Sequence, residues 1–169
     1  MNLHFLALRF LCAAAAMALM TLAAPALARS VEGEVSHVSD GDTLWLRPDD
    51  GGAALAVRIQ GIDAPEICQD FGVQARDALA AHALHRRAQV NVIAQDIYQR
   101  SVGRVNVDGQ DLGAWLVGNG YAWSAHYRRR AGPYAAQEEQ ARSGGRGLWA
   151  ASAMDPREFR KRHGSCFRQ

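Results

Sequence analysis

The sequence has little net charge, few cysteines and no repeated segment. Its formal charge of +2 at pH 7 is too small for histone-like electrostatic binding of a polyanion. No internal repeat or low-complexity stretch is evident beyond residue 28. With 169 residues, 49% hydrophobic and 21% charged, the chain has the composition of an ordinary globular protein and the length of one domain.

Two familiar metal-binding motifs are incomplete. An EF-hand that began at Asp40 would need a glutamate about twelve positions further on, where Gly51 and Gly52 stand instead. His82 and His85 lie close together in a predicted helix, but no cysteine or acid completes the usual zinc set. The sequence therefore predicts neither an EF-hand nor a zinc site.

The N-terminal residues have the pattern of a cleaved secretory signal. Arg9 precedes an unbroken apolar stretch over residues 10–22, and Ala26-Leu27-Ala28 forms a small-residue cleavage site. A retained membrane anchor is the alternative, but the apolar stretch is short for a membrane span. We therefore expect residues 1–28 to be removed and residues 29–169 to act, free of the membrane, in the periplasm or outside the cell.

Two cysteines, Cys68 and Cys166, remain after Cys12 leaves with the signal. An even pair in an exported chain favours one disulfide, which would tie the C-terminal tail to the loop around Cys68. Closing so long a loop would stabilise the fold by roughly 4–5 kcal/mol on the chain-entropy model. The alternative, two free thiols, is the default only in a reducing compartment.

The pattern of apolar residues predicts an α+β protein. Five strands are predicted over residues 31–38, 44–47, 55–62, 89–94 and 101–107. A helix is predicted between the third and fourth strands, over residues 73–87, and two more after the fifth: a short one capped by Asp111 and one over residues 133–142. This order matches a five-stranded OB-fold β-barrel with about three packed helices. From Trp149 onward the chain is basic and is predicted to be irregular.

Acids and an arginine recur at the ends of the second and third predicted strands. Asp42 precedes the second strand, Arg58 lies within the third, and Asp63 and Glu66 follow at its end. The turn over residues 48–52 makes these strands antiparallel, so the four side chains are expected to converge at one end of a small sheet. Paired carboxylates suit Ca²⁺ or Mg²⁺ rather than a soft metal. The alternative is that Arg58 is an ordinary strand residue paired with Glu66 or Asp63.

Several short motifs occur along residues 29–169 in a specific order. They are Asp40-Gly41-Asp42-Thr43, Arg58 followed by Ile62-Asp63-Ala64-Pro65-Glu66, Phe71-Gly72, Asp96 to Arg100, Gly120-Tyr121-Ala122-Trp123 and Gly147-Leu148-Trp149. In this order and spacing the chain resembles the staphylococcal-type thermonuclease (micrococcal nuclease) family, which has the OB-fold. The resemblance implies a Ca²⁺-dependent phosphodiester hydrolase that cuts single-stranded DNA, double-stranded DNA and RNA with little base specificity and leaves 3′-phosphate ends.

The resemblance also implies how the acids act. Asp42 and Asp63 match the carboxylate ligands of a catalytic Ca²⁺, and the main-chain carbonyl of Ala64 matches a further ligand. Glu66 matches the carboxylate that orients or deprotonates the attacking water. A cation placed in this way would hold phosphate and water in line and offset negative charge in the transition state.

Two arginines complete the implied catalytic set. Arg58 and Arg100 match the pair that contacts the scissile phosphate, a role suited to the bidentate guanidinium. The family often has glycine at the position of Gln99; if φ is positive there, Gln99 costs about 1 kcal/mol or displaces the arginine. Arg104 is the competing candidate, and Arg100 is preferred because its spacing from Tyr98 and from the following turn fits.

Two tyrosines are predicted to bind substrate by stacking on bases. Tyr98 adjoins Arg100, and Tyr127 precedes the basic run over residues 128–130. That run is either a solvated loop or a contact to the phosphate backbone. No base-reading helix is evident, so we expect contacts to phosphates and stacked bases rather than to base edges.

The function expected from these residues is that of an exported, monomeric nuclease. One alternative is a non-catalytic nucleic-acid-binding OB-fold module, and another is a structural or adhesion domain of the cell envelope. Asp42, Arg58, Asp63, Glu66 and Arg100 are all present, which favours the enzyme, because neither alternative needs them together.

Overall fold

The computed structural model describes residues 29–127, 130–151 and 153–166. The predicted secretory signal lies outside the described residues, as do Arg128 and Arg129 of the basic run. Within the described ranges, no helix is both long and apolar enough to cross a membrane.

The regular elements are eight strands, four α-helices and one 3₁₀ turn within the described residues. The strands are β1 (Arg29–Val38), β2 (Thr43–Pro48), β3 (Leu55–Ile59), β4 (Ile62–Asp63), β5 (Arg87–Gln95), β6 (Ser101–Val107), β7 (Gln110–Asp111) and β8 (Trp123–Ser124). The helices are α1 (Gly72–Ala83), α2 (Leu112–Gly118), α3 (Ala135–Ser143) and α4 (Pro156–His163), with the 3₁₀ turn at Gly147–Ala150.

Five of the strands close into a mixed β-barrel. β1 pairs antiparallel with β2 on one side and with β5 on the other, while β2 pairs with β3 and β5 with β6. A parallel pairing of β3 with β6 closes the barrel. The short strand β7 extends the edge of β6, and β4 pairs with β8 as a separate ribbon. The predicted α+β, five-stranded OB-fold architecture is confirmed.

Alternating apolar side chains fill the barrel. In β1 the buried valines are Val31, Val35 and Val38. The odd spacing between the last two is accommodated by a bulge between Val35 and His37, which shifts the alternation by one residue. The other strands contribute further buried side chains to the same core, among them Leu44, Leu46, Val57, Ile59, Val90 and Val105.

Helix α1 is shorter than the predicted range of 73–87. It ends at Ala83 because the backbone of Leu84 is already extended, with a ψ of 134°, and His85 follows with a left-handed φ of 61°. Arg87 already belongs to β5. The buried face of α1 consists of Gly72, Ala75, Leu79 and Ala83, and Leu79 packs into the barrel core.

The two helices after the barrel are joined through one carboxylate. Asp111 caps α2 as predicted, accepting a hydrogen bond of 3.0 Å from the N–H of Ala114. The hydroxyl of Tyr134, immediately before α3, donates to the same carboxylate at 3.0 Å. Helix α3 starts two residues later than predicted, at Ala135. The hydrogen bond from Tyr134 fixes its start against α2.

The C-terminal segment is helical where an irregular chain was predicted. Helix α4 begins with Pro156 at its first turn, and Asp155 caps it by accepting hydrogen bonds from the N–H groups of Arg157 and Glu158 at 2.8 and 3.3 Å. A disulfide between Cys68 and Cys166 joins the residues after α4 to the loop that follows β4. The segment was predicted to be irregular because it is rich in basic residues, and the helix start at Asp155-Pro156 was not recognised.

Candidate active site

A cleft of about 960 Å³ lies beside the first residue of β2, the turn that precedes β6 and helix α4. The five side chains that were assigned to catalysis or cation binding line it together: Asp42, Arg58, Asp63, Glu66 and Arg100. They come from distant parts of the chain, and the barrel brings them to one place.

Strand register explains this convergence. Asp42 immediately precedes β2, whose first residue, Thr43, pairs with Arg58 of β3. The parallel pairing of β3 with β6 includes Ser101, the first residue of β6. Arg100, which directly precedes Ser101, therefore lies at the same edge of the barrel as Arg58 and Asp42.

The two carboxylates predicted to hold a cation are both buried. Asp42 and Asp63 are each 7% exposed. The Asp42 carboxylate accepts hydrogen bonds from the N–H of Ala64 at 3.0 Å and from the hydroxyl of Thr43 at 3.2 Å. Burial raises the pKa of Asp42 to about 6, although the guanidinium of Arg58 opposes the rise. A cation beside this desolvated carboxylate would stabilise its charged form.

Arg58 is held in place by the backbone of its own hairpin. One guanidinium nitrogen donates to the carbonyls of Ile59 and Ile62 at 3.0 and 3.1 Å. The other lies 2.9 Å from Asp42 and 3.5 Å from Asp63. Arg58 is thus paired with Asp63, one of the two partners that the alternative named, and more closely with Asp42, which it did not name. It also lines the cleft.

Arg100 is fixed by the turn that precedes β6. The carboxylate of Asp96 accepts from the N–H of Arg100 and from its guanidinium, at 2.9 and 2.8 Å, and the guanidinium reaches the hydroxyl of Thr43 at 3.3 Å. Burial would raise the pKa of Asp96, but the hydrogen bonds from Arg100 hold it below its ordinary value. The competing Arg104 is exposed and is absent from the described lining of the cleft, so the structure brings Arg100 to the site.

Gln99 has the left-handed backbone that was anticipated for a position often occupied by glycine. Its φ is 64°, and its N–H donates to the carbonyl of Asp96 at 3.0 Å. The turn is therefore formed despite the missing glycine, at a cost of about 1 kcal/mol in backbone strain. Arg100 is not displaced from the cleft.

Glu66 lies on a tight loop between β4 and α1. Its N–H donates to the side chain of Gln69 at 3.2 Å, and its carbonyl accepts from the N–H of Gln69 at 2.8 Å. The backbone of Gly72 packs so closely that a Cβ atom there would lie 2.0 Å from the Glu66 carbonyl oxygen. Glycine at this position therefore fixes the path of the loop that carries Glu66.

Helix α4 adds two arginines that the sequence analysis missed. Arg160 donates to both oxygens of Asp63, at 3.2 and 3.0 Å, and to Glu66 at 2.8 Å. Arg157 lies 3.6 Å from Asp63. The sequence contains a signal for this helix in Asp155-Pro156, an N-cap residue followed by proline, but nothing local indicates that it turns toward the acids.

The donors in the cleft suit a hard cation. Asp42 and Asp63 provide carboxylate oxygens. Ala64, whose carbonyl is the third predicted ligand, donates its N–H to Asp42 and is not among the described residues that line the cleft. No cysteine, methionine or histidine occurs among the described residues that line the cleft. In the part of the chain that the structure describes, no group of three or more acidic, histidine or cysteine side chains is arranged to hold a metal. The predicted ligand set therefore needs the carbonyl and water molecules, which hard cations accept.

The two predicted stacking residues differ in position. Tyr98 and Tyr127 are both 72% exposed. Tyr98 lines the cleft, and the guanidinium carbon of Arg100 lies 5.3 Å from the centre of its ring. Tyr127 is not among the described residues of the cleft lining, and it forms a β-bridge with Arg130. Of the two tyrosines, Tyr98 therefore lies in the cleft, beside Arg100.

Comparison with known sequences identifies the family. A family model described as "Staphylococcal nuclease homologue" matches residues 56–151, which include Arg58, Asp63, Glu66 and Arg100. The chain belongs to the staphylococcal nuclease family. It is similar to a protein named micrococcal nuclease from Shigella flexneri, with 34% identity over 92% of this chain and 94% of that protein. It is also similar to protein ParB from Escherichia coli, with 36% identity over 88% and 89% of the two chains.

A third relative, an uncharacterized endonuclease from Escherichia coli O157:H7, is 32% identical over 78% of this chain and 84% of its own length. As a member of the staphylococcal nuclease family, the protein is a nuclease, a hydrolase of phosphodiester bonds. Helix α4 starts after the matched region ends at residue 151. Arg157 and Arg160 therefore lie outside the part of the chain that the family model describes.

Proposed function

We propose that the protein is an exported, Ca²⁺-dependent nuclease that cuts DNA and RNA with little base specificity and leaves 3′-phosphate ends. The observation that supports this most strongly is the convergence of two buried carboxylates, a third carboxylate and two anchored arginines in one cleft. The mature chain would begin at Arg29 and act as a monomer in the periplasm or outside the cell. N-terminal sequencing of the exported protein tests that start site.

Asp42, Asp63 and the Ala64 carbonyl would hold the cation. When bound there, Ca²⁺ would offset negative charge that accumulates on the phosphate in the transition state. The two carboxylates are already oriented by the N–H of Ala64 and by arginines.

Arg58 and Arg100 would bind the scissile phosphate from the same edge of the barrel. The guanidinium of Arg58 is fixed by two backbone carbonyls, and that of Arg100 by the carboxylate of Asp96. Donors that are oriented before the substrate arrives need no reorganisation as charge develops, which is the main source of their catalytic effect. Arginine suits this role because its planar fork makes two hydrogen bonds to phosphate.

Glu66 would orient the attacking water. Its backbone is fixed by Gln69 and by the close packing of Gly72, so the carboxylate has a defined position in the cleft. We expect the carboxylate to act by accepting a hydrogen bond from the water more than by removing a proton.

The nucleic acid would lie in the open cleft with phosphates toward the arginines and one base on Tyr98. The exposed ring of Tyr98 offers a stacking surface that any base can use. A single strand reaches such a cleft more easily than a duplex, because its bases are not paired. We therefore expect single-stranded DNA and RNA to be cut faster than double-stranded DNA.

Cleavage of single-stranded DNA by purified residues 29–169, measured across a Ca²⁺ titration with a chelator control, tests this function. Glu66→Gln is expected to lower kcat by roughly 10²- to 10⁴-fold, the range for loss of a group that acts on the attacking water. Glu139→Gln, at an exposed acid of α3, loses the same charge outside the cleft and should cut like the wild type.

Two results would contradict the proposal. Full activity in the chelator would exclude the cation requirement, and full activity of Glu66→Gln would exclude the role of Glu66. Binding of single-stranded DNA without cleavage in Ca²⁺, Mg²⁺ or Mn²⁺ would instead support the binding module, with the strained turn at Gln99 as the first position to change.

A further inference from the structure

Helix α4 is fixed against the cleft by contacts that do not involve its arginines. The Cys68–Cys166 disulfide joins the residues after α4 to the loop only two positions beyond Glu66. On the other side of the helix, the side-chain amide of Gln69 donates to the carbonyl of Met154 at 2.6 Å. These two ties attach both ends of α4 to the loop that carries Glu66, so the helix and the loop form one unit.

Arg160 projects from α4 onto the acids of the cleft. Its two terminal nitrogens bind both oxygens of Asp63 as a fork, at 3.2 and 3.0 Å, and one of them also donates to Glu66 at 2.8 Å. The side chain is 35% exposed and lines the cleft. Arg160 therefore neutralises Asp63 and Glu66 while remaining at the surface of the space where a substrate would bind.

Arg160 depends on the acids of the cleft more than the other two arginines do. Arg58 also contacts Asp42 and Asp63, but backbone carbonyls hold its other guanidinium nitrogen. Arg100 is held by Asp96, which is not a predicted cation ligand. Arg160 occupies both oxygens of Asp63. A cation and a guanidinium cannot share the same oxygens without strong repulsion between like charges. Occupation of Asp63 by a cation would therefore release at least the Asp63 half of this contact.

We propose that Arg160 is a further substrate-binding residue, which rests on Asp63 and Glu66 in the cation-free protein and binds a phosphate of the nucleic acid when a cation occupies Asp63. The proposal rests on the proposed function. The guanidinium fork that fits the Asp63 carboxylate also fits a phosphate. The terminal nitrogen that donates to Asp63 and not to Glu66 would then be available to a phosphate in the cleft. Arg157, 3.6 Å from Asp63, adds positive charge on the same side.

Two effects of opposite sign follow for Arg160→Gln. Ca²⁺ should bind more tightly without nucleic acid, by about tenfold, because it no longer displaces a charge-assisted hydrogen bond. The KM for single-stranded DNA should rise by about tenfold, because one charge-assisted contact to phosphate is lost. Loss of a residue that only stabilised the fold would not strengthen the binding of Ca²⁺ and at the same time weaken the binding of single-stranded DNA.

The experiment measures Ca²⁺ binding by calorimetry and cleavage of single-stranded DNA by steady-state kinetics. Arg162→Gln is the matched control, because Arg162 lies on the same helix, pairs with Glu158 and is exposed. It removes the same charge and should change neither quantity. Arg160→Lys, which keeps the charge but not the fork, should fall between the wild type and Arg160→Gln in KM. Thermal melts of all variants establish that they are folded.

Unchanged or weaker Ca²⁺ binding by folded Arg160→Gln would overturn the proposal, as would an unchanged KM or failure of the wild type to bind Ca²⁺. If the wild type binds Ca²⁺ but does not cut, the proposed function fails separately. Affinity for a phosphorothioate oligothymidine in Ca²⁺ then replaces KM, and Arg160→Gln should still bind it about tenfold more weakly. Equal affinity in that assay would overturn the role of Arg160.

Discussion

Arg58 and Arg100 are each held at the cleft by groups that lie within a few residues of them in the chain. Arg58 is anchored by carbonyls of its hairpin, and Arg100 by an aspartate four residues earlier in the chain. Such local anchors explain how the site keeps several charges in place before a substrate arrives. They also make the contribution of each arginine separable by mutation.

Replacement of Arg100 by alanine tests the choice between the two candidate arginines. We expect Arg100→Ala to lower kcat for single-stranded DNA by roughly 10²- to 10³-fold, the usual effect of removing one oriented donor to a developing charge. Arg104→Ala should retain nearly full activity, because Arg104 is exposed and outside the described cleft lining. The reverse pattern would show that Arg104, and not Arg100, is the second catalytic arginine.

Replacement of Gln99 by glycine should relieve backbone strain. Because the φ of Gln99 is 64°, Gln99→Gly is expected to raise the free energy of unfolding in urea by about 1 kcal/mol. Gln74→Gly, in the exposed face of α1 at an ordinary helical position, should instead lower it by about the same amount. A loss of stability in both variants would mean that the turn at Gln99 is unstrained.

At the scale of elements, the important arrangement is the attachment of α4 to the loop after β4. The barrel places Asp42, Arg58 and Arg100 through strand register, whereas α4 reaches the site through a disulfide and a hydrogen bond from Gln69. The site therefore combines a rigid edge of the barrel with a helix whose position depends on a covalent link.

Removal of that link should affect both stability and activity. The double variant Cys68→Ser/Cys166→Ser opens a loop with a sequence separation of 98, and should lower the free energy of unfolding by roughly 3–5 kcal/mol. Its KM for single-stranded DNA should rise, because α4 no longer holds Arg160 on the cleft. Dithiothreitol should reproduce both effects in the wild type and leave the double variant unchanged. A reduced wild type with an unaltered KM would show that the helix is held by other contacts.

At the scale of the whole molecule, the barrel core and the helices after it are connected through Tyr134. This residue is buried, packs against Gly113 of α2, and donates to Asp111. Burial and the neighbouring Asp111 carboxylate raise the pKa of the Tyr134 hydroxyl to about 12, from 10.0. The folded protein therefore favours the protonated hydroxyl more strongly than the unfolded chain does.

This difference predicts a loss of stability in alkali. The stabilisation from Tyr134 is fully present below the unfolded pKa of 10.0 and is lost as the pH rises through the folded pKa of about 12. Tyr134→Phe should be less stable than the wild type at pH 8, and the gap should narrow as the pH rises above 10. Urea unfolding of both proteins across this range measures the gap. A difference in stability that stays constant across this pH range would mean that folding does not raise the pKa of the Tyr134 hydroxyl.

The sequence alone predicted much of the fold, because local patterns are strong in this chain. The alternation in β1 and β6, the N-cap at Asp111 and the helical spacing in α1 are each visible without tertiary information, and the structure confirms them. The prediction from sequence failed at the end of α1 and at α4. After α1, the next β-strand begins earlier than the apolar spacing suggests. At α4, the segment was predicted to be irregular because it is basic, although Asp155 is an N-cap residue.

The sequence by itself determined the chemical types in the cleft and the strands that hold them, because motif order and strand register together place Asp42 beside Arg58. Only the tertiary structure decided that Arg160 contacts Asp63 and Glu66, which precede it by 97 and 94 positions. Contacts over such separations depend on how α4 packs and on the disulfide, and no local pattern contains that information. The charge that balances the acids of the cleft is therefore set by the fold.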